Sequence, residues 1–264
     1  MNTVELHSWP AFREWVSANR TLLPSYWRAQ LDPDWPLAST FERGILRYNG
    51  GGRPNASQVY PYGGRFHRVD GPIWSATFYA GMRDRYLQAF KLASAGLRGP
   101  NPAPLSDEQW WSLGRHHGLI TPLLDWSESP YLATFFALSE LIAVMRTPTG
   151  MNFESRSIAI YRLYHSPELE GDGLRVVRPT VEELGRMHGQ RGLFTWLDSE
   201  TYFELQGFLD NTQRGFLLTK LVLSNQAVVD GLRDLKSHGI DYRLLFPDLT
   251  GAAMAANDQG DALV

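Results

Sequence analysis

The run Trp110-Trp111-Ser112-Leu113-Gly114-Arg115-His116-His117-Gly118-Leu119-Ile120-Thr121-Pro122-Leu123-Leu124-Asp125-Trp126-Ser127-Glu128-Ser129-Pro130 decides how this chain reads. Its pattern changes twice. Trp110 to Gly114 has helical spacing, Leu119 to Trp126 reads as extended, and Pro130 opens an apolar stretch to Met145 that has the pattern of a buried helix. Basic, aromatic, hydroxyl and carboxylate groups crowd around two glycines and two prolines. Taken singly, each residue has a structural role: His117 and Asp125 would tie down a loop, and the tryptophans would fill a core. Taken together, so many polar groups beside buried aromatics must find partners, and the segment reads as functional.

Working outward, Leu6, Trp9, Phe12 and Val16 recur at helical spacing, which predicts a helix over Val4 to Ala18. Pro24 to Gln30 reads as a short strand. From Tyr48 to Gly71 eight glycines or prolines interrupt any period, the pattern of a long surface loop. Ile73 to Ala95 reads as one or two amphipathic helices, and Gly96 to Pro104 is the one stretch that resembles a linker. Ser106 caps the next helix. Ser157 to Tyr164, Gly192 to Leu197 and Phe216 to Leu223 read as strands. Val228 to His238 reads as a helix ended by Gly239. Strands and helices mix without strict alternation, so the expected class is α+β, a single mixed domain over residues 1–264, not a doubly wound sheet.

Composition excludes several chemistries. The 264 residues carry 25 basic and 28 acidic side chains and no cysteine. Thiol nucleophiles, Cys-based zinc sites, iron–sulfur clusters and disulfides are therefore ruled out. Nucleotide P-loops and dinucleotide fingerprints are missing, and the seven histidines form no His-x-x-x-His pair, so no metal is expected. The net charge of −3 conceals an asymmetry. Phe41 to Pro100 holds nine basic residues against three acidic ones, a local balance of +6. Only three of the basic residues are lysine, and arginine grips phosphates and carboxylates bidentately. An anionic ligand is the expected partner. The start of the chain lacks a signal-peptide pattern and no apolar run is long enough to span a bilayer, so a cytoplasmic protein with no membrane partner is expected.

The run His116 to Ser127, followed by Ser129-Pro130, Ala133 and Phe136-Ala137, resembles the signature of the FRG domain family. Tyr26-Trp27-Arg28-Ala29-Gln30 sits where the name-giving aromatic-Arg-Gly motif belongs, with Trp35, Leu37 and Arg43 at the expected distances. Gly189-Gln190-Arg191-Gly192-Leu193-Phe194-Thr195 resembles a later block, and Gly239-Ile240 with Leu245 to Gly251 resembles the closing one. On this resemblance the domain takes in the whole chain, with a basic Gly/Pro/aromatic-rich insertion at about 44–72. Ala29 stands for the family Gly, Arg115 for a common Gln, and Arg191 for the second Gln of the third block. The two arginines add positive charge near the ligand.

By analogy the layout resembles that of ADP-ribosyltransferase-like proteins, which implies a central split antiparallel or mixed sheet with flanking helices. NAD would then be the substrate, and no metal would be needed. Arg28, Asp125 and Gln190 would be catalytic, and Arg28, Gln30, His117, Thr121, Trp126, Ser127 and Ser129 would hold the nucleotide. Trp126 would stack on nicotinamide. Asp198, Glu200 and Glu204 are further carboxylates for the cationic transition state. The acceptor would be nucleic acid or protein, in a bacterial toxin or phage-defence effector with a neutralising antitoxin-like partner. The alternatives are a non-catalytic module that binds nucleotide or nucleic acid in the same pocket, and a protein-interaction domain whose Trp-rich segment is core.

Overall fold

The computed structural model describes residues 1–48, 76–145, 157–179, 189–197, 204–224 and 226–260. Short alternating runs give seven strands: β1 (Asn2–Leu6), β2 (Ser25–Gln30), β3 (Leu124–Ser127), β4 (Ser157–Tyr164), β5 (Leu174–Val177), β6 (Gly192–Leu197) and β7 (Leu218–Ser224). They form one open mixed sheet in the order β1-β7-β4-β2-β3-β6-β5. β1 runs parallel to β7 and every other pairing is antiparallel. The described helices are α1 (Trp9–Ala18), α2 (Thr40–Tyr48), α3 (Ala76–Ala93), α4 (Asp107–His116) and α5 (Pro130–Met145), then α6 (Pro167–Gly171), α7 (Leu205–Asn211), α8 (Gln226–Ser237), α9 (Tyr242–Leu245) and α10 (Leu249–Gly260). The α+β class with a central mixed sheet is what the chain adopts.

Alternation on β4 divides the core. Ile158 and Ile160 point to one face and pack with Trp9 and Phe12 of α1, Phe135 and Leu138 of α5, and Leu232 of α8. Ala159, Tyr161 and Leu163 point to the other face and meet Tyr26, Trp126, Leu169 and Phe208. The all-round apolarity of α5 now has a cause: it lies along β2 with Leu132, Ala133, Phe135, Ala137, Leu138 and Leu141 all buried.

Several expectations are corrected. The helix expected over Val4 to Ala18 begins at Trp9, where the Ser8 side chain accepts from the Ala11 amide and Pro10 stands in the first turn. Asn2–Leu6 instead extends the sheet along β7 from Thr219 to Leu223. Phe216 belongs to a 3₁₀ turn (Gly215–Leu217), so β7 begins two residues later than expected, at Leu218. Gly96 to Pro104 is no linker between units; it turns α3 back onto α4, where Phe90 meets Trp110 edge-on at 6.0 Å. The cap expected at Ser106 is present: the helix starts at Asp107, with Ser106 and Gln109 forming a reciprocal capping box. The insertion expected at about 44–72 falls mostly outside the described residues; its first part, to Tyr48, is the end of α2.

α8 closes over α1 and α5 at a glycine. A Cβ on Gly231 would stand 2.8 Å from Cε3 of Trp9 and 3.0 Å from Cδ1 of Leu138. The same ring is anchored by its indole N–H, which donates to Asp234 Oδ2 at 2.8 Å. Gly231→Ala is expected to cost about 1–3 kcal/mol through overpacking. The check is a lowered urea midpoint with an unchanged m-value.

Candidate functional site

β2 and β3 are neighbours that barely pair. Their register is one residue deep, Trp27 opposite Ser127. Beyond it, Arg28, Ala29 and Gln30 stay paired with Tyr161, Ile160 and Ala159 of β4. Leu124, Asp125 and Trp126 stay paired with Thr195, Phe194 and Leu193 of β6. The sheet therefore parts into two arms on one side of a single bridge. The chain that follows β2 is tied to the chain that precedes β3: Thr40 Oγ1 accepts from the Thr121 amide, and the Phe41 amide and Thr40 hydroxyl donate to the Thr121 carbonyl. The start of β3 is thus held to the N-terminus of α2.

Arg28 fills the parting. Its Nη1 donates to the Asp125 carbonyl at 3.0 Å and lies 3.6 Å from Asp125 Oδ2. Arg115, from the last turn of α4, grips the same carboxylate bidentately, Nε to Oδ1 at 3.1 Å and Nη2 to Oδ2 at 2.7 Å. Burial pushes the Arg28 guanidinium down to about 10, with Asp125 opposing and Arg43 and Arg115 adding to the fall; it stays cationic at neutral pH. For Asp125, burial alone would raise the carboxyl, but the Arg115 charge and hydrogen bond, with Arg28 behind them, hold it below its ordinary range. Tyr161, opposite Arg28 on β4, is raised to about 12 by burial.

Three polar atoms in this region are sealed from water without a partner: Arg28 Nε, Gln30 Oε1 and Thr121 Oγ1. A buried donor, acceptor and hydroxyl left without partners in this way are uncommon in one small region. Glu140 on α5 is close enough to feel the charges of Arg28 and Arg43. Atoms packed about its carboxyl raise it although the residue as a whole is exposed.

The remaining residues singled out from sequence sit elsewhere or are engaged. Gln30 Nε2 donates to the Trp35 carbonyl at 2.8 Å, leaving only its oxygen open. His117 is exposed at the C-terminus of α4. Ser127 Oγ donates to the Gln190 carbonyl and accepts from the Ser129 amide. Ser129 Oγ accepts from the Leu132 amide at the start of α5. Trp126 is 4% exposed and its indole donates to Thr195 Oγ1, so no face of it is open for a nicotinamide ring. The Gln190 amide donates to the Leu245 carbonyl. Gly189 is needed beside it, since a Cβ there would stand 2.2 Å from the Leu244 carbonyl oxygen. The third and fourth sequence blocks thus lock to each other and to the end of β3. Glu204 begins α7, and burial raises its carboxyl; Asp198 and Glu200 lie outside the described residues.

Residues 24–144 match the family model described as the FRG domain. The chain carries an FRG domain. The matched span runs from just before β2 to the end of α5 and so holds both arms of the parting, with Arg28, Arg115, Asp125 and Glu140. The FRG match stops short of Tyr161 and of the Gln190 block. No curated protein and no solved structure matches the chain. Arg115 entered the sequence reading only as added charge, and nothing in the sequence pointed to Glu140 or Tyr161.

Asp125 is ionised in the fold at a lower pH than in the unfolded chain, so its stabilisation is present above about pH 4 and is lost as pH falls through its depressed value. Because its side chain keeps 41% exposure, Asp125→Asn is expected to cost about 1–3 kcal/mol, less than a fully sealed pair would. Paired urea titrations from pH 8 to pH 3 check this: the gap between wild type and variant stays constant to about pH 5 and closes below pH 4.

Proposed function

We propose that the opening between β2 and β3 binds NAD and that this FRG domain transfers ADP-ribose from it. One observation carries the reading: a buried arginine in the parting of a sheet, with its Nε left unpartnered. An arginine so placed is completed by an anionic oxygen, and the NAD pyrophosphate supplies two such groups. The resemblance to ADP-ribosyltransferase-like layouts supports the same placement.

The chemistry follows from the charges. Transfer breaks the C1′–N1 bond, and its electron pair leaves with nicotinamide, which becomes neutral. C1′ then bears positive charge until the acceptor oxygen or nitrogen bonds to it and loses its proton. A carboxylate near C1′ lowers that barrier. Asp125 is poorly suited, since Arg115 and Arg28 already neutralise it; its role is to hold the two guanidinium groups in place. Glu140 makes no hydrogen bond or ion pair among the described residues and is the carboxylate assigned to C1′ and to the acceptor proton. The Arg- and aromatic-rich stretch from Arg43 to Arg85 is assigned to the acceptor, nucleic acid or protein.

A second reading, recognition of a nucleotide without turnover, is favoured by the engagement of Asp125, Ser127 and Gln190 in internal bonds. Incubation of the protein with NAD separates the two. The expected result is nicotinamide release, with Arg28→Met weakening NAD binding about 10- to 100-fold, as loss of a charged hydrogen bond predicts. Glu140→Gln is expected to keep binding and lose turnover. Saturable, Arg28-dependent binding without release selects the second reading, and an absence of binding overturns both.

A further inference from the structure

A second arginine lies on the opposite face of the sheet and takes no part in the cleft. Arg162 on β4 is 2% exposed. Its guanidinium carbon lies 4.1 Å from the ring centre of Tyr164, 5.3 Å from Trp27 and 5.7 Å from Trp15. Trp15 and Trp27 meet edge-on at 6.3 Å, so the rings form two joined walls and Tyr164 a third. Its one hydrogen bond runs from Nε to Ser25 Oγ at 3.3 Å. Among the described residues no carboxylate reaches it. Its terminal nitrogens make no hydrogen bond there.

This is an unusual condition for a charge. Cationic side chains that leave water are normally paired with a carboxylate. Aromatic faces offset part of the desolvation, but they are weak acceptors and put no anion opposite the N–H groups on Nη1 and Nη2. The position is also prepared by the sheet. Register places Trp27, Arg162 and Thr219 side by side on one face, so a hydroxyl follows the guanidinium along the row. Burial lowers the Arg162 guanidinium, as expected for a cation without an anion.

We infer that Arg162, walled by Trp15, Trp27 and Tyr164 and flanked by Ser25 and Thr219, is a binding site for an oxyanion, the phosphoryl or carboxylate group of a ligand. The planar fork receives two oxygens of one group, and the rings shut out competing water. Its face and its ligand geometry are separate from those of Arg28, so it stands whether or not the cleft binds NAD.

Thermal unfolding in sodium phosphate, in sodium acetate and in sodium chloride at matched ionic strength tests the site. Wild type and Arg28→Met are both expected to gain about 2–4 °C in Tm from phosphate or acetate over chloride at saturation. Arg162→Met is expected to lose that gain. A larger effect of phosphate assigns the site to phosphoryl ligands, and of acetate to carboxylates. Should Arg162→Met not fold, Arg162→Lys decides, because it keeps a charge among the rings but loses the fork; a several-fold weaker anion response is expected. No gain over chloride, or a gain that the Arg162 variants keep in full, overturns the inference.

Discussion

The guanidinium of Arg28 joins what the backbone has let go. Past the Trp27–Ser127 bridge the two arms of the sheet are not paired by a ladder, and Arg28 reaches across to the Asp125 carbonyl and carboxylate. A charge in that position would be costly alone. Asp125 compensates it, Arg115 fixes Asp125, and the capped helix α4 delivers Arg115. The bonds between Thr121 and Thr40 fix the approach to β3 against the start of α2. The cleft is therefore a consequence of pairing withheld at one place and of polar groups positioned to tolerate it.

What was legible in the sequence follows from range. α5, β4 and β6 take the ends expected of them because their patterns are local: an apolar run opened by proline, and β-branched or aromatic alternation. β1 and β5 were hidden, since five- and four-residue strands carry little pattern and exist through neighbours distant in the chain. Arg28 and Asp125 were named from sequence, and the fold brings them into contact. That Ser127, Ser129 and Gln190 would be engaged in caps and carbonyl contacts was not legible, because a hydroxyl or amide that holds a turn reads the same as one that holds a ligand. Glu140 sits in a helix whose dominant signal is burial, and a lone carboxylate there carries no motif.

Two arginines on adjacent strands thus solve the same difficulty differently. Arg28 is neutralised by a carboxylate and keeps its Nε buried without a partner; Arg162 is walled by rings and bonds through its Nε alone. Trp27 belongs to both settings, since its backbone forms the bridge at the cleft and its ring faces Arg162.

The one-residue bridge also bears on how the domain is delimited. Cut out at the bounds of the family match, residues 24–144 would keep β2 and β3 but lose β4 and β6, the strands that pair with them along their lengths. Each arm would become a bare edge on its outer side as well as toward the cleft. Bare edges recruit other chains, so such a fragment is an aggregation hazard more than a miniature of the protein. The sequence family and the folding unit have different borders here, and the folding unit is the larger.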